Sequence, residues 1–355
     1  MKNTLKKIIL RNIDLKPDFC QLLTVLLLIT VILVFTTLPA RAGDPLPSWY
    51  NRPLKKKIIG FVETVTDQQS PDYVQPQERV AVFDNDGTMW LEQPLYSQLF
   101  FVFSNIREMA PQHPEWQKQQ PFKALLENDR KTLSQYGNKG IFTLMATSNS
   151  SGSAEEYAAK VTKWARQYRH PRFRQPLSGL VYQPMLELLN YLKANDFTVF
   201  IVSGGGIDFM RALLPELYDI PSWRIIGSYI ETTFANGQIV REPKIAFVDN
   251  GGGKAVAIYR NIGKHPILAC GNSDGDLAML QYADAGPGRT LQLFIHHTDA
   301  EREYAYDRKS KIGTLNKGLD YAKAHGWLVV DMKNDWKTVF PKQQNKTEEE
   351  TTGGK

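Results

Sequence analysis

The sequence predicts an α/β fold built on a parallel sheet, and three segments predict it. Val80-Ala81-Val82-Phe83 runs into Asp84-Asn85-Asp86-Gly87-Thr88. Phe197 to Val202 runs into Ser203-Gly204-Gly205-Gly206, and Pro266 to Cys270 into Gly271-Asn272-Ser273-Asp274-Gly275-Asp276. Each run is short, β-rich and unalternating, as a strand buried on both faces is. Each stops at a turn signal carrying small or oxygen-bearing side chains. In an open parallel sheet such strand ends converge on one edge, where ligands bind.

The elements around these strands follow in order. Residues 1–18 carry Lys2, Lys6, Lys7, Arg11 and Lys16, Phe19 to Ala40 is uncharged, and Ala40-Arg41-Ala42 ends the run. A basic flank, an apolar core and a small-x-small ending describe a signal peptide cut after Ala42. Left uncut, the same run is long enough for a membrane anchor. In either case the remainder is expected to be exported, into the periplasm or onto the outer face of the inner membrane. Residues 43–90 and 177–340 are assigned to the α/β core and residues 91–176 to a helical insert, because strand signals vanish between Trp90 and Pro176. Leu95 to Met109, Phe122 to Tyr136 and Ala154 to Tyr168 read as amphipathic helices, the last with Ser153 as its N-cap. Met185 to Leu192 reads as a helix and Trp223 to Ile230 as a strand. Asn236-Gly237 marks a hairpin over Thr232 to Val240. Thr290 to Ile295 and Trp327 to Val330 complete the strands, and residues 341–355 read as a polar, disordered tail.

Composition excludes little. The chain has 43 Lys and Arg against 37 Asp and Glu, a net +6. Residues 1–42 hold six of the basic and two of the acidic residues, so the rest stands at 37 against 35, or +2. Its basicity therefore belongs largely to the export segment and is no argument for nucleic acid as a partner. Cys20 lies in that segment and Cys270 in an expected buried strand, so no internal disulfide is expected after cleavage, and Cys270 reads as packing.

Chemistry gathers at the strand ends. Asp84 is placed as a nucleophile and Asp86, two residues on, as a general acid/base; the alternative is an Asx turn in which both cap backbone groups. Ser203 and three glycines end the second strand, just before a helix-like stretch. Lys254, opening a helix after Gly251-Gly252-Gly253, can reach back over the strand ends, and Lys244 after Pro243 is the alternative lysine. Asp274 and Asp276 can cap the start of a helix. His296 and His297 end a strand and point to opposite faces, so one ion would not easily take both; His297 is a candidate for the active edge. Trp90, Tyr96, Phe100, Phe101 and Phe103 read mainly as core, with an aromatic pocket for a cationic head group as the lesser reading. Glu92 is the polar residue placed to read the substrate.

Together these motifs resemble the haloacid dehalogenase superfamily of phosphatases, most closely its phosphoserine-phosphatase-type branch. Asp84 to Thr88 matches the Asp-x-Asp-x-Thr motif, Ser203 the second, a lysine the third, and Gly271 to Asp276 the fourth. The fourth departs from the pattern, because Asn272 stands where aspartate is usual; Asp276, with Asp274 as a substitute, is then the expected acidic ligand. The resemblance implies a Rossmann-like core with a helical cap between the first two motifs. It implies a Mg²⁺-dependent phosphomonoester hydrolase acting through an aspartyl-phosphate on a small phosphorylated substrate. Asp84, Asp86, Ser203 and Lys254 would be catalytic, Thr88, Glu92, Gly204 and Gly205 would face the substrate, and Asp84, Asp86, Asn272 and Asp276 would bind the metal. A phosphotransferase on the same fold, and a degenerate periplasmic binding protein, are the alternatives.

Overall fold

The computed structural model describes residues 43–149 and 152–342. The chain divides into residues 1–45 and 46–355. The first unit is described only at residues 43–45, so the expected export segment lies outside the described residues, as does the tail beyond residue 342. Among the described residues no helix is long and apolar enough to cross a membrane.

The second unit is built on an eight-stranded sheet in the order β4-β3-β2-β1-β5-β6-β7, with β8 also pairing β6. Its strands are β1 (Val80–Phe83), β2 (Thr198–Gly206), β3 (Ile225–Ala235), β4 (Gln238–Phe247), β5 (Leu268–Gly271), β6 (Leu291–Thr298), β7 (Ala305–Tyr306) and β8 (Leu328–Asp331). β1 is parallel to both β2 and β5, β2 to β3, β5 to β6, and β6 to β8. Only β4 and β7 run antiparallel to their neighbours. The chain leaves β1 toward β2 and β3, then returns to β5 on the other side. The crevice at the carboxyl end of β1 is therefore the topological switch point of the sheet.

The unalternating strand sequences are explained by helices on both faces. Ala81, Phe83, Val199, Ile201, Leu268, Leu293 and Ile295 belong to one core cluster. Their neighbours Val80, Val82, Phe200, Val202, Ala269 and Phe294 belong to the other. The first face is covered by α1 (Pro53–Thr66), which buries Ile58, Phe61, Val62 and Val65, and by a second helix, Gln183–Ala194. The sequence reading overlooked α1, although its apolar spacing and Pro53 at its first turn signal a helix. Residues from the helices Gly252–Asn261, Leu277–Asp284 and Lys317–His325 cover the other face.

Between β1 and β2 the named elements are all helical. They include α2 (Ser97–Met109), α3 (Phe122–Leu126), α4 (Arg130–Gln135), α5 (Gly137–Asn149) and α6 (Ala154–Gln167), followed after the insert by α7, the Gln183–Ala194 helix. The single helix expected from Phe122 to Tyr136 is two. Asn128 adopts φ 57°, a left-handed conformation that asparagine tolerates, and the Asp129 carboxylate accepts from Thr132 N to start α4 afresh. α5 was not anticipated. Ser153 and Glu156 form a reciprocal capping box on α6.

The remaining helices are α8 (Ile207–Arg211), α9 (Leu214–Tyr218), α10 (Gly252–Asn261), α11 (Leu277–Asp284), α12 (Lys317–His325) and α13 (Met332–Asp335). The expected strand at Trp223 begins two residues later, because residues Ser222–Arg224 form a short 3₁₀ turn. The hairpin stands where Asn236-Gly237 placed it, both turn residues having positive φ. Its outer half is solvated, with Phe234 76% exposed.

The capping box gives a direct test of the insert. Ser153→Ala removes the acceptor for Glu156 N and is expected to cost about 1 kcal/mol. It should lower the urea midpoint without altering the slope of the transition.

Candidate active site

The register of the sheet decides what meets at the switch point. Phe83 lies level with Ile201 of β2 and Cys270 of β5, so the residues just past each share one edge. Asp84 donates its backbone N–H to the Cys270 carbonyl (2.9 Å) and turns its side chain into the crevice.

Lys254 holds this edge together. It lies in the first turn of α10, is almost fully buried, and its ammonium has three acceptors. These are Asp84 Oδ1 at 2.5 Å, Asp276 Oδ1 at 2.6 Å and the Val202 carbonyl at 2.9 Å. Burial opposes the charge on Lys254, but Asp276 and Asp84 outweigh it and hold the amino group above the ordinary lysine range. Lys244, the other candidate, is on β4, 72% exposed and paired with Glu231 at 2.6 Å.

Asp276 is engaged differently from the expectation that it ligates metal. Its Oδ1 takes Lys254, and its Oδ2 accepts from Asn272 N (3.0 Å), Ser273 N (2.9 Å) and Ser273 Oγ (3.1 Å). It anchors the lysine and caps the turn after β5. Asp274 is likewise taken up by the backbone N–H groups of Asn316, Lys317 and Gly318.

Asn272 sits on the Asp84 side of the crevice. Thr88 Oγ1 lies 3.2 Å from Asn272 Oδ1 and 3.4 Å from Asp84 Oδ2. The Asn272 amide nitrogen donates to Glu92 Oε1 (2.7 Å), which also accepts from the Tyr306 hydroxyl (2.8 Å). Thr88 and Glu92 are buried and both contact Asn272, Thr88 also lying beside Asp84. Gly87 is required here: its φ is +77°, and a Cβ would collide with the Asn272 amide. The Gly87 carbonyl accepts from His297 Nε2 (2.7 Å), whose Nδ1 lies 3.1 Å from Glu303 Oε2. His297 thus braces the Asp84–Thr88 turn from behind. His296, on the opposite face, lies 3.5 Å from Asp307.

Asp86 takes the indole N–H of Trp90 at 2.8 Å, and burial raises its carboxyl to about 6. Across from it, Gly205 presents a bare α-carbon: a Cβ there would stand 3.7 Å from Asp86 Oδ2 and 3.6 Å from Ser203 Oγ. Ser203 Oγ accepts from Gly205 N (3.3 Å), and Gln98 Oε1 accepts from Gly206 N (2.8 Å). Trp90 and Phe101 are core residues, as expected.

The electrostatics favour an additional cation. Burial raises the Asp84 and Glu92 carboxyls, and neighbouring carboxylates raise both further. Asp84, Asp86, Glu92 and Asp276 face one lysine. The donors are all oxygens, as a hard divalent ion prefers. Among the described residues no three His, Cys, Asp or Glu side chains group around one point. A metal here would therefore draw on amide, backbone or water oxygens beside the Asp84 carboxylate, and Asn272 Oδ1 suits that.

One buried acid was missed by sequence reasoning. Asp249 is fully buried just before α10, and neither of its carboxylate oxygens has a hydrogen-bond partner among the described residues. Burial raises it to about 7, Lys254 pulling the other way. A carboxyl raised on folding binds its proton more tightly in the native state, so its contribution is most favourable below about pH 4 and is lost as pH rises toward 7. Asp249→Asn should therefore stabilise the fold at pH 8 by about 1–3 kcal/mol and have little effect at pH 4. Denaturation curves at the two pH values check this, and an equal effect at both would contradict it.

No curated protein matches the sequence. Among solved structures, a conserved, functionally unknown protein from Anaerococcus prevotii DSM 20548 is similar at 16% identity and a TM-score of 0.54, covering 78% of this chain and 91% of its own. A protein of unknown function from Bordetella pertussis Tohama I is 17% identical with a TM-score of 0.45, covering 72% and 99%. A phosphoserine phosphohydrolase-like protein from Francisella tularensis subsp. tularensis SCHU S4 is 17% identical with a TM-score of 0.34, covering 61% and 87%. The first of these supports the fold. The family model for haloacid dehalogenase-like hydrolases matches residues 81–281, a stretch that contains the ends of β1, β2 and β5, and the chain belongs to that family.

Proposed function

We propose that the protein is a Mg²⁺-dependent phosphomonoester hydrolase working through an aspartyl-phosphate on Asp84. The observation that carries this reading is the buried Lys254 bridge from Asp84 to Asp276, with Asp86 beside the bare Gly205 backbone. Phosphoryl transfer needs positioning and charge compensation more than reactive side chains, and these groups supply both.

Asp84 attacks phosphorus, and the bond from phosphorus to the leaving oxygen breaks. Its Oδ1 is held by Lys254, whereas Oδ2 has only the long Thr88 contact, so Oδ2 is the freer oxygen. Asp86, held up to about 6 chiefly by burial, gives its proton to the leaving oxygen. It then takes a proton from the water that attacks the aspartyl-phosphate, releasing phosphate and restoring Asp84. Ser203 Oγ and the Gly204 and Gly205 amides hold phosphate oxygens. Asp84, Asp86 and Asn272 would hold Mg²⁺, with Glu92 supporting Asn272. When bound, the ion neutralises phosphate charge near Asp84. The helical insert between β1 and β2 acts as the cap over this edge. Export rests on the basic and apolar character of residues 1–42.

The test is phosphate release from a panel of phosphomonoesters, with Mg²⁺ or with chelator. Release should require the metal and fall by at least about a thousandfold in Asp84→Asn with the fold unchanged by circular dichroism. Chelator-insensitive release, or an active Asp84→Asn, would refute the mechanism. Binding of phosphorylated ligands without release would support the binding-protein alternative.

A further inference from the structure

We infer that the leaving group of the substrate is an uncharged, flat apolar group such as an aryl ring, seated between the helical insert and the β3–β4 hairpin. This rests on the phosphomonoesterase reading for where the phosphate lies. An open cleft of about 690 Å³, solvent included, runs between these elements, and Gly204 and Gly206 form part of its floor. The two glycines bracket Gly205, whose α-carbon faces Asp86. The Asp84 and Asp86 carboxylates themselves do not line the cleft; with the phosphate at these carboxylates, an ester group directed past Gly205 would enter it.

The walls select its chemistry. α5 contributes Phe142 and Met145, α6 Tyr157, α8 Phe209, and the hairpin Tyr229 and Ile245. Phe142, Tyr229 and Ile245 are each more than 40% exposed, an apolar surface gathered at one opening. The charged groups of the cleft are already matched. Arg241 pairs with Asp208 at 2.9 Å and lies 3.5 Å over the Tyr157 ring, and Lys244 pairs with Glu231 at 2.6 Å. A zwitterionic leaving group would lose hydration there without gaining a new counter-charge. A cationic one would meet Arg241 already on the aromatic face. A neutral ring loses little on entry and gains apolar contact.

The experiment measures binding and turnover on the purified full chain with Mg²⁺. Equilibrium binding compares benzylphosphonate with methylphosphonate, which share the phosphonate and differ in the ring. Turnover compares phenyl phosphate with O-phosphoserine and phosphocholine. Benzylphosphonate should bind at least about tenfold tighter. The double variant Phe142→Ala, Tyr229→Ala should lose most of that preference while keeping its affinity for methylphosphonate. Both side chains are substantially exposed, so the fold should survive. Equal binding of the two phosphonates, or a preference that survives in the variant, overturns the inference. Phosphate release without aryl preference defeats the cleft assignment and leaves the hydrolase reading standing. Aryl-selective binding that the variant loses, without release from any ester, upholds the cleft and defeats the hydrolase reading.

Discussion

The ammonium of Lys254 is the constraint on which the rest of the edge depends. It touches Asp84 after β1, Val202 in β2 and Asp276 after β5, so one side chain ties three strand ends. A buried charge is tolerated only when its donors are satisfied, and removal of one partner from such a pair leaves the other uncompensated. Lys254 meets that condition with two carboxylates and a carbonyl. Asp276 passes the constraint on through Oδ2, which fixes Asn272 N and Ser273. The positions of Asp84 and Asn272 are thus set by one network, and neither can shift without disturbing a buried ion pair.

The amide at position 272 makes sense within that network. An aspartate there would face Glu92, which accepts from the Asn272 nitrogen at 2.7 Å. Two carboxylates at that distance in a buried site would repel unless one held a proton. The amide donates to Glu92 through nitrogen and leaves its oxygen toward Thr88 and Asp84. The carboxyl absent from position 272 is therefore present one hydrogen bond away, at a residue just beyond the first motif. Tyr306, kept protonated by burial and by Glu92, holds that carboxylate from the other side.

Much of this was legible in the sequence, for a physical reason. Strands buried on both faces have unbroken apolar runs, and a parallel sheet aligns their ends, so Asp84, Ser203 and Asn272 declared their shared edge. The Asn-Gly turn declared the hairpin by its need for positive φ. What escaped is what depends on tertiary packing. Glu92 looked like a substrate reader, since nothing local announces its bond to a residue 180 positions away. Asp276 reads first as a metal ligand and second as a cap, and nothing local announces that Lys254 takes its Oδ1. The break at Asn128 and the presence of α5 depend on weak local signals that packing decides, and α1 was overlooked despite a readable pattern. Asp249 carries no motif at all; only its burial without a partner makes it conspicuous.

Catalysis and selectivity are separated in this architecture. The carboxylates, Lys254 and the glycine loop sit on or beside strand ends whose positions follow from the sheet, which on the proposed reading fixes where the phosphate binds. The cleft walls come from a helical insert and from the outer half of the β3–β4 hairpin, which extends past its pairing with β2. They are linked by a backbone bridge between Ser153 and Val240 and by Arg241 stacked on Tyr157 of α6, while Arg241 also pairs with Asp208 of α8. These ties let the insert and hairpin act as one wall while leaving the carboxylate network untouched. If the cleft holds the ester group as proposed, changes in the exposed side chains of that wall, such as Phe142 and Tyr229, would alter which ester is accepted before they alter the chemistry done to it.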